Sequence, residues 1–138
     1  MQTKITLGYL GFIPFAALTI LPWILGASYE EVSFQVLVVY GGIIISFLSG
    51  IIWGIDSTNK KNLVIAIVFS LLGFGATLLA WINLIFAMAF LFFLFFLFYQ
   101  QESKINPQFK DPDYMKLRRN LTSAVCGCYM FSIVILIY

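Results

Sequence analysis

The stretch Tyr40–Gly54, YGGIIISFLSGIIWG, decides how this chain is read. Gly42, Ser46, Gly50 and Gly54 recur every four residues within it. Positions four apart on an α-helix lie close to one face, so these residues make a stripe about 18 Å long that lacks bulky side chains. Ile43, Ile44, Ile45, Phe47, Leu48, Ile51, Ile52 and Trp53 surround it, and no charge interrupts the run. Among lipid tails, apolar surface alone does not drive helices together, whereas close backbone approach along small residues does. The stretch is therefore expected to be the central packing helix of a protein that crosses a membrane several times, with Gly42, Ser46, Gly50 and Gly54 as its helix-packing residues.

Working outward, the rest of the chain agrees. Of 138 residues, 62% are hydrophobic and only 10% are charged, against about a quarter charged in a soluble domain. A chain this short cannot hide so much apolar surface in one aqueous core. Long uncharged runs place spans at about 5–26, 32–54, 63–81, 84–99 and 117–138, within one transmembrane domain over residues 1–138. The first run is longer than a signal-peptide core and is read as a retained span. Its Pro14 and Pro22 are expected to bend it. Residues 63–99 as a single helix would be about 55 Å long, far beyond a hydrocarbon core of about 30 Å, so a tight turn is required near Trp81–Leu84.

Small pairs four apart in span three (Ala66 and Ser70, Gly73 and Thr77, Ala76 and Ala80) are expected partners for span two. Ser123 and Gly127 offer a similar pair in span five. Span four carries phenylalanine on every face and reads as lipid-exposed. Residues 100–116 read as the one sizeable loop.

The basic residues set an orientation. Lys4 precedes span one, Lys60 and Lys61 lie between spans two and three, and Lys104, Lys110, Lys116, Arg118 and Arg119 lie between spans four and five. With five spans these segments share one side, and the positive-inside rule places the N-terminus in and the C-terminus out. The fold class is thus all-α integral membrane, with five transmembrane helices.

Candidate chemistry is sparse. There are no histidines, which removes the usual haem or zinc ligand and the usual neutral-pH proton carrier. Cys126 and Cys128 lie two apart on a helix and point in different directions, so neither a shared metal nor an intrahelical disulfide is expected. No span has an ionisable group near its centre, which argues against ion-coupled transport and leaves no pair for general acid–base catalysis. No cofactor, no metal, no nucleic-acid partner and no enzymatic activity are expected. Asp56 and Arg118 fall at the inner ends of spans two and five and form a candidate ion pair. Arg118 and Arg119 are read as topology anchors or as a grip for an anionic head group. Trp53 and Trp81 join them as candidate lipid or ligand contacts.

Four runs resemble one family: GYLGFIPF (Gly8–Phe15), YGGIIISFLSGIIWG (Tyr40–Gly54), LLAWI (Leu78–Ile82) and YMKLRRNLT (Tyr114–Thr122). In order and spacing they are similar to the domain of unknown function 3429 family, small inner-membrane proteins that include the mitochondrial transmembrane protein 69. The resemblance implies a bacterial inner (cytoplasmic) membrane, or the mitochondrial inner membrane in a eukaryote, and it brings no established activity. The family pattern has a histidine before the Trp-Gly that ends span two; here that position is Ile52.

Two functions follow as expectations. The first is a non-enzymatic accessory or assembly partner of a larger membrane complex, in contact with the lipid bilayer and with other membrane-protein subunits. The second is a binder or carrier of a hydrophobic small molecule, a quinone or a lipid, walled by Trp53, Trp81 and the span-four phenylalanines and gripped by Arg118.

Overall fold

A computed structural model of the chain describes residues 2–55 and 59–137. Along them run α1 (Gln2–Leu10), α2 (Ile13–Leu25), α3 (Glu30–Ile55), α4 (Lys60–Leu79), α5 (Leu84–Ile105) and α6 (Pro112–Ile137). Five segments are long and apolar enough to cross a membrane, with α1 and α2 together supplying the first, Ile5–Leu25. The fold is all-α, as the hydropathy pattern requires.

The helix α3 packs on α2, α4 and α5. Its buried residues include Phe34, Leu37, Val38, Gly41, Gly42, Ile45, Leu48 and Ile52, the three-and-four spacing that puts a stripe on one face. The seam with α4 is the closest in the bundle. A Cβ added at Gly42 would lie 2.9 Å from the Gly73 carbonyl oxygen and 2.6 Å from Thr77 Cγ2. One turn on, Ser70 Oγ donates to Ser46 Oγ across the same seam at 3.5 Å. Gly50 and Gly54 lie on the same stripe but are exposed, and a Cβ at either would meet nothing within 4 Å. Of the four small residues in the stripe, Gly42 and Ser46 meet α4 directly.

The first span is broken, and the proline positions explain how. The chain turns at Gly11–Phe12, and Pro14 sits in the first turn of α2, where a missing N–H costs nothing. The helix then runs through Pro22. Proline at 22 removes the amide that would bond the Leu18 carbonyl four residues earlier. Ser33 Oγ of α3 donates to that carbonyl at 2.6 Å. The Tyr40 hydroxyl likewise donates to the Gly11 carbonyl at the break, at 2.8 Å. Neighbouring side chains thus take up backbone acceptors that lipid could not satisfy. Gly26 ends α2 with φ 109°, a conformation open to glycine without a Cβ clash.

Three sequence expectations are corrected. The sizeable loop over 100–116 is mostly helix: α5 continues to Ile105 and α6 starts at Pro112. The true stop is Asn106, held at φ −81° and ψ 115° because the Pro107 ring disfavours helix in the residue before it. Pro112 opens α6, with Asp111 Oδ1 accepting from the Asp113 amide at 3.0 Å. Second, α5 is not lipid-exposed all round. It buries Ala87, Leu91, Leu94, Phe95, Phe98 and Glu102 along one face, a choice of face that hydropathy cannot signal when every face is apolar. Third, Ser123 and Gly127 point outward, and α6 turns Thr122, Val125, Cys126 and Tyr129 inward. The Tyr129 hydroxyl donates to the Leu37 carbonyl at 3.0 Å, against Gly41, where any Cβ would collide with it. The tight turn between spans three and four falls where length demanded it, with Asn83 Oδ1 capping α5 by accepting from the Phe86 amide at 3.1 Å.

Candidate binding pocket

Two helices meet at the turn that follows α5, and their inward faces carry opposite charges. Glu102 stands four residues after Phe98 and therefore continues the buried face of α5. Arg118 stands four residues before Thr122 on the buried face of α6. Arg118 Nε donates to Glu102 Oε1 at 2.8 Å, with side chains 8% and 0% exposed. Asn106, at the helix stop, and Tyr114, at the entry to α6, are both buried beside the ion pair. Burying such a pair is costly, and its geometry must repay the desolvation. Here Nε bonds Glu102 Oε1, while Nη2 of Arg118 and Oε2 of Glu102 are buried without a hydrogen-bond partner among the described residues. One turn further along α6, the Thr122 hydroxyl is also buried without a partner.

Both residues line one cavity of about 150 Å³. Its other walls are Leu7, Gly8 and Gly11 of the first span, Phe12 and Phe15 around the break, Ile44, Phe47 and Leu48 of α3, Phe95 of α5, and Leu121 and Val125 of α6. The cavity lies beside the break in the first span, where Gly8 of α1 and Gly11 of the turn present no side chain to fill it. Phe15 forms the aromatic floor, with ring centroids 4.9 Å from Tyr40, 6.1 Å from Phe95 and 6.1 Å from Tyr129, all edge-on. Edge-to-face packing at these separations is the favoured aromatic geometry. The site is therefore apolar on nearly every side, with two hydrogen-bond donors at one end and aromatic rings at the other.

The sequence pattern of the family described as a protein of unknown function, DUF3429, matches residues 1–134. The chain belongs to that family. No curated protein and no solved structure matches it.

The cavity sorts the DUF3429 protein's sequence candidates. Arg118 lies in it, but as a buried, paired group (6% exposed) and not as a snorkelling anchor at the surface. Arg119, beside it, is exposed. Trp53 and Trp81 are 49% and 73% exposed and take no part in the cavity. Of the span-four phenylalanines, Phe95 lines it. Asp56 lies outside the described residues, and the carboxylate that meets Arg118 is Glu102. Among the described residues no cluster of His, Cys, Asp or Glu could hold a metal ion. Cys126 Sγ donates to the Phe92 carbonyl at 3.4 Å, and both cysteines are free thiols. Ile52, where the family resemblance placed a histidine, is fully buried one turn from Leu48 of the cavity wall.

Sequence reasoning missed Glu102, Thr122, Phe15 and the glycine pair Gly8 and Gly11 as one site. Glu102 carried a signal, because it continues the run Ala87, Leu91, Leu94, Phe98 at helical spacing. The others are brought together only by the break in the first span.

Proposed function

We propose that this protein is a non-enzymatic binder or carrier of a hydrophobic small molecule, a quinone or a lipid, held inside the bundle. The observation that carries the reading is an apolar cavity lined by Arg118 and Thr122, whose Nη2 and hydroxyl are buried without a hydrogen-bond partner among the described residues. Buried polar groups left unmade are expensive, and pockets with a few convergent polar groups in an apolar lining are the usual form of a small-molecule site. Bound ligand supplies the missing acceptor. The test is native mass spectrometry of the protein released with its surrounding membrane. One defined small molecule should remain bound at one per chain, and Thr122→Val, which keeps the shape and removes the hydroxyl, should lower its occupancy. Full occupancy in the variant, or an empty wild type, overturns the reading.

A second reading is an accessory or assembly partner of a larger complex. It is favoured by the open end of the α3 stripe, where Gly50 and Gly54 are exposed and unopposed and would admit a helix of another subunit. A stoichiometric protein partner in the same spectrum, with no small molecule, decides for it. For either reading we place the protein in a bacterial or mitochondrial inner membrane, N-terminus in and C-terminus out. The support is the gathering of basic residues at the end of the bundle that holds the α3–α4 and α5–α6 turns. Labelling of a C-terminal tag only from the outer side of spheroplasts is the expected result.

A further inference from the structure

Resting on the pocket-binder reading, we infer that the bound head group is an uncharged, ring-sized carbonyl acceptor whose apolar tail leaves sideways between α1 and α3, and that Glu102 makes the site prefer it to an anion.

Size comes first. The cavity holds about 150 Å³, and an apolar cavity of about that volume accepts a single six-membered ring. Phe12, Phe15 and Phe95 present aromatic walls to such a ring.

Charge comes second. An exposed arginine would attract any anion, including a lipid phosphate or a fatty-acid carboxylate. Arg118 differs because Glu102 already meets it at 2.8 Å and both are buried. An anion set against this neutral pair would add an uncompensated negative charge away from water, which is strongly disfavoured. A carbonyl oxygen adds no charge. It can accept from Nη2 and from the Thr122 hydroxyl, both buried without a partner on residues that line the cavity.

The exit comes third. Leu7 and Phe47 line the cavity and are 61% and 67% exposed. The packing of α1 is on α6, so the mouth opens on the side of the bundle, between α1 and α3. That side faces lipid in a membrane-spanning chain, and a polyprenyl or acyl tail can pass through it without crossing the bundle. A quinone ring with an apolar tail has this chemistry. A neutral diacylglycerol shares the carbonyl and the tail but not the ring.

The experiment titrates the full chain in nanodiscs with a decyl-substituted benzoquinone, with a diacylglycerol and with oleate, reading binding by native mass spectrometry. The expected result is one quinone per chain, bound about tenfold or more tighter than either competitor. Glu102→Gln, which leaves the guanidinium charge unbalanced, should reverse the order of quinone and oleate. Leu7→Trp, at the exposed mouth, should lower quinone occupancy. Tighter binding of oleate or of diacylglycerol to the wild type overturns this inference and leaves the binder reading standing. Binding of none of the three to the wild type overturns both. If Glu102→Gln fails to fold, the wild-type ranking and Leu7→Trp decide alone. Unchanged binding in Leu7→Trp overturns the lateral exit.

Discussion

Two sides of α3 use small residues for opposite ends. Toward α4, Gly42 brings backbone against backbone, and nothing fits between the helices. Toward the first span, Gly8 and Gly11 border a cavity that still has room for a ring. At Gly8, a Cβ would touch only the tips of the Leu117 and Leu121 side chains, at 3.3 Å and beyond. The same residue type closes one interface and opens the other. What differs is continuity. Both α3 and α4 are uninterrupted and can lie together along a seam, whereas the first span breaks at Gly11–Phe12, and its two halves cannot both follow α3. The dry side holds the bundle together by packing, and the loose side relies on polar ties.

The largest expected effect lies at the buried ion pair that joins α5 to α6 beside the cavity. Glu102→Ala leaves Arg118 buried and unpaired, and the bundle should lose about 3–5 kcal/mol of stability. Glu102→Leu combined with Arg118→Met should restore most of it. Thermal unfolding in nanodiscs measures both. A single variant as stable as wild type would show that the ion pair does not hold α5 and α6 together beside the cavity.

Next in size is the contrast between glycines. Gly42→Ala forces a methyl against the Gly73 carbonyl and Thr77 and should cost about 1–3 kcal/mol. Gly8→Ala meets flexible leucine tips and should cost distinctly less, while narrowing the cavity and lowering ligand occupancy. Equal costs in the same unfolding assay would erase the distinction between the two sides.

A smaller effect is expected at the proline in α2. Ser33→Ala strands the Leu18 carbonyl that Pro22 cannot bond, at a cost of about 1–2 kcal/mol. Adding Pro22→Ala returns an amide to that carbonyl, so the double variant should recover stability. Additive losses in the double-mutant cycle would show that the serine hydroxyl does not serve that acceptor.

The smallest effect belongs to Gly50. With open space around it, Gly50→Ala should leave unfolding within about 0.5 kcal/mol of wild type, as for surface positions without special contacts. A large loss on substitution in native membranes, absent in isolated protein, would show that another subunit covers this face.

Much of the architecture was legible in the residues. Span number, the turn near Trp81–Leu84 and the role of Gly42 and Gly73 follow from hydropathy, length and four-residue spacing. The candidate site was legible only in fragments. Arg118 was visible as a charge, but a charge at a span boundary reads as an anchor until its neighbours are known. Glu102 looked like loop because Pro107 and Pro112 lie close behind it, although the helix runs on until the residue before Pro107. Phe15 and Phe95 were two phenylalanines among fifteen, and nothing in a uniformly apolar run distinguishes the ring that faces a cavity from the one that faces lipid.

The sequence by itself determined the class of molecule, the number of its long apolar helices and the small residues along which the second meets the third. Those properties depend on local composition and on the period of the α-helix, both of which can be read along one dimension. Tertiary structure alone decided that Glu102 and Arg118 meet and that Thr122 joins them. It also decided that a cavity lies beside them at the Gly11–Phe12 break, since Gly8, Phe47, Phe95 and Arg118 come from four different helices. The physical reason is that in lipid every outer face is apolar, so the choice of which faces turn inward is made by shape and by the few polar groups that must find one another.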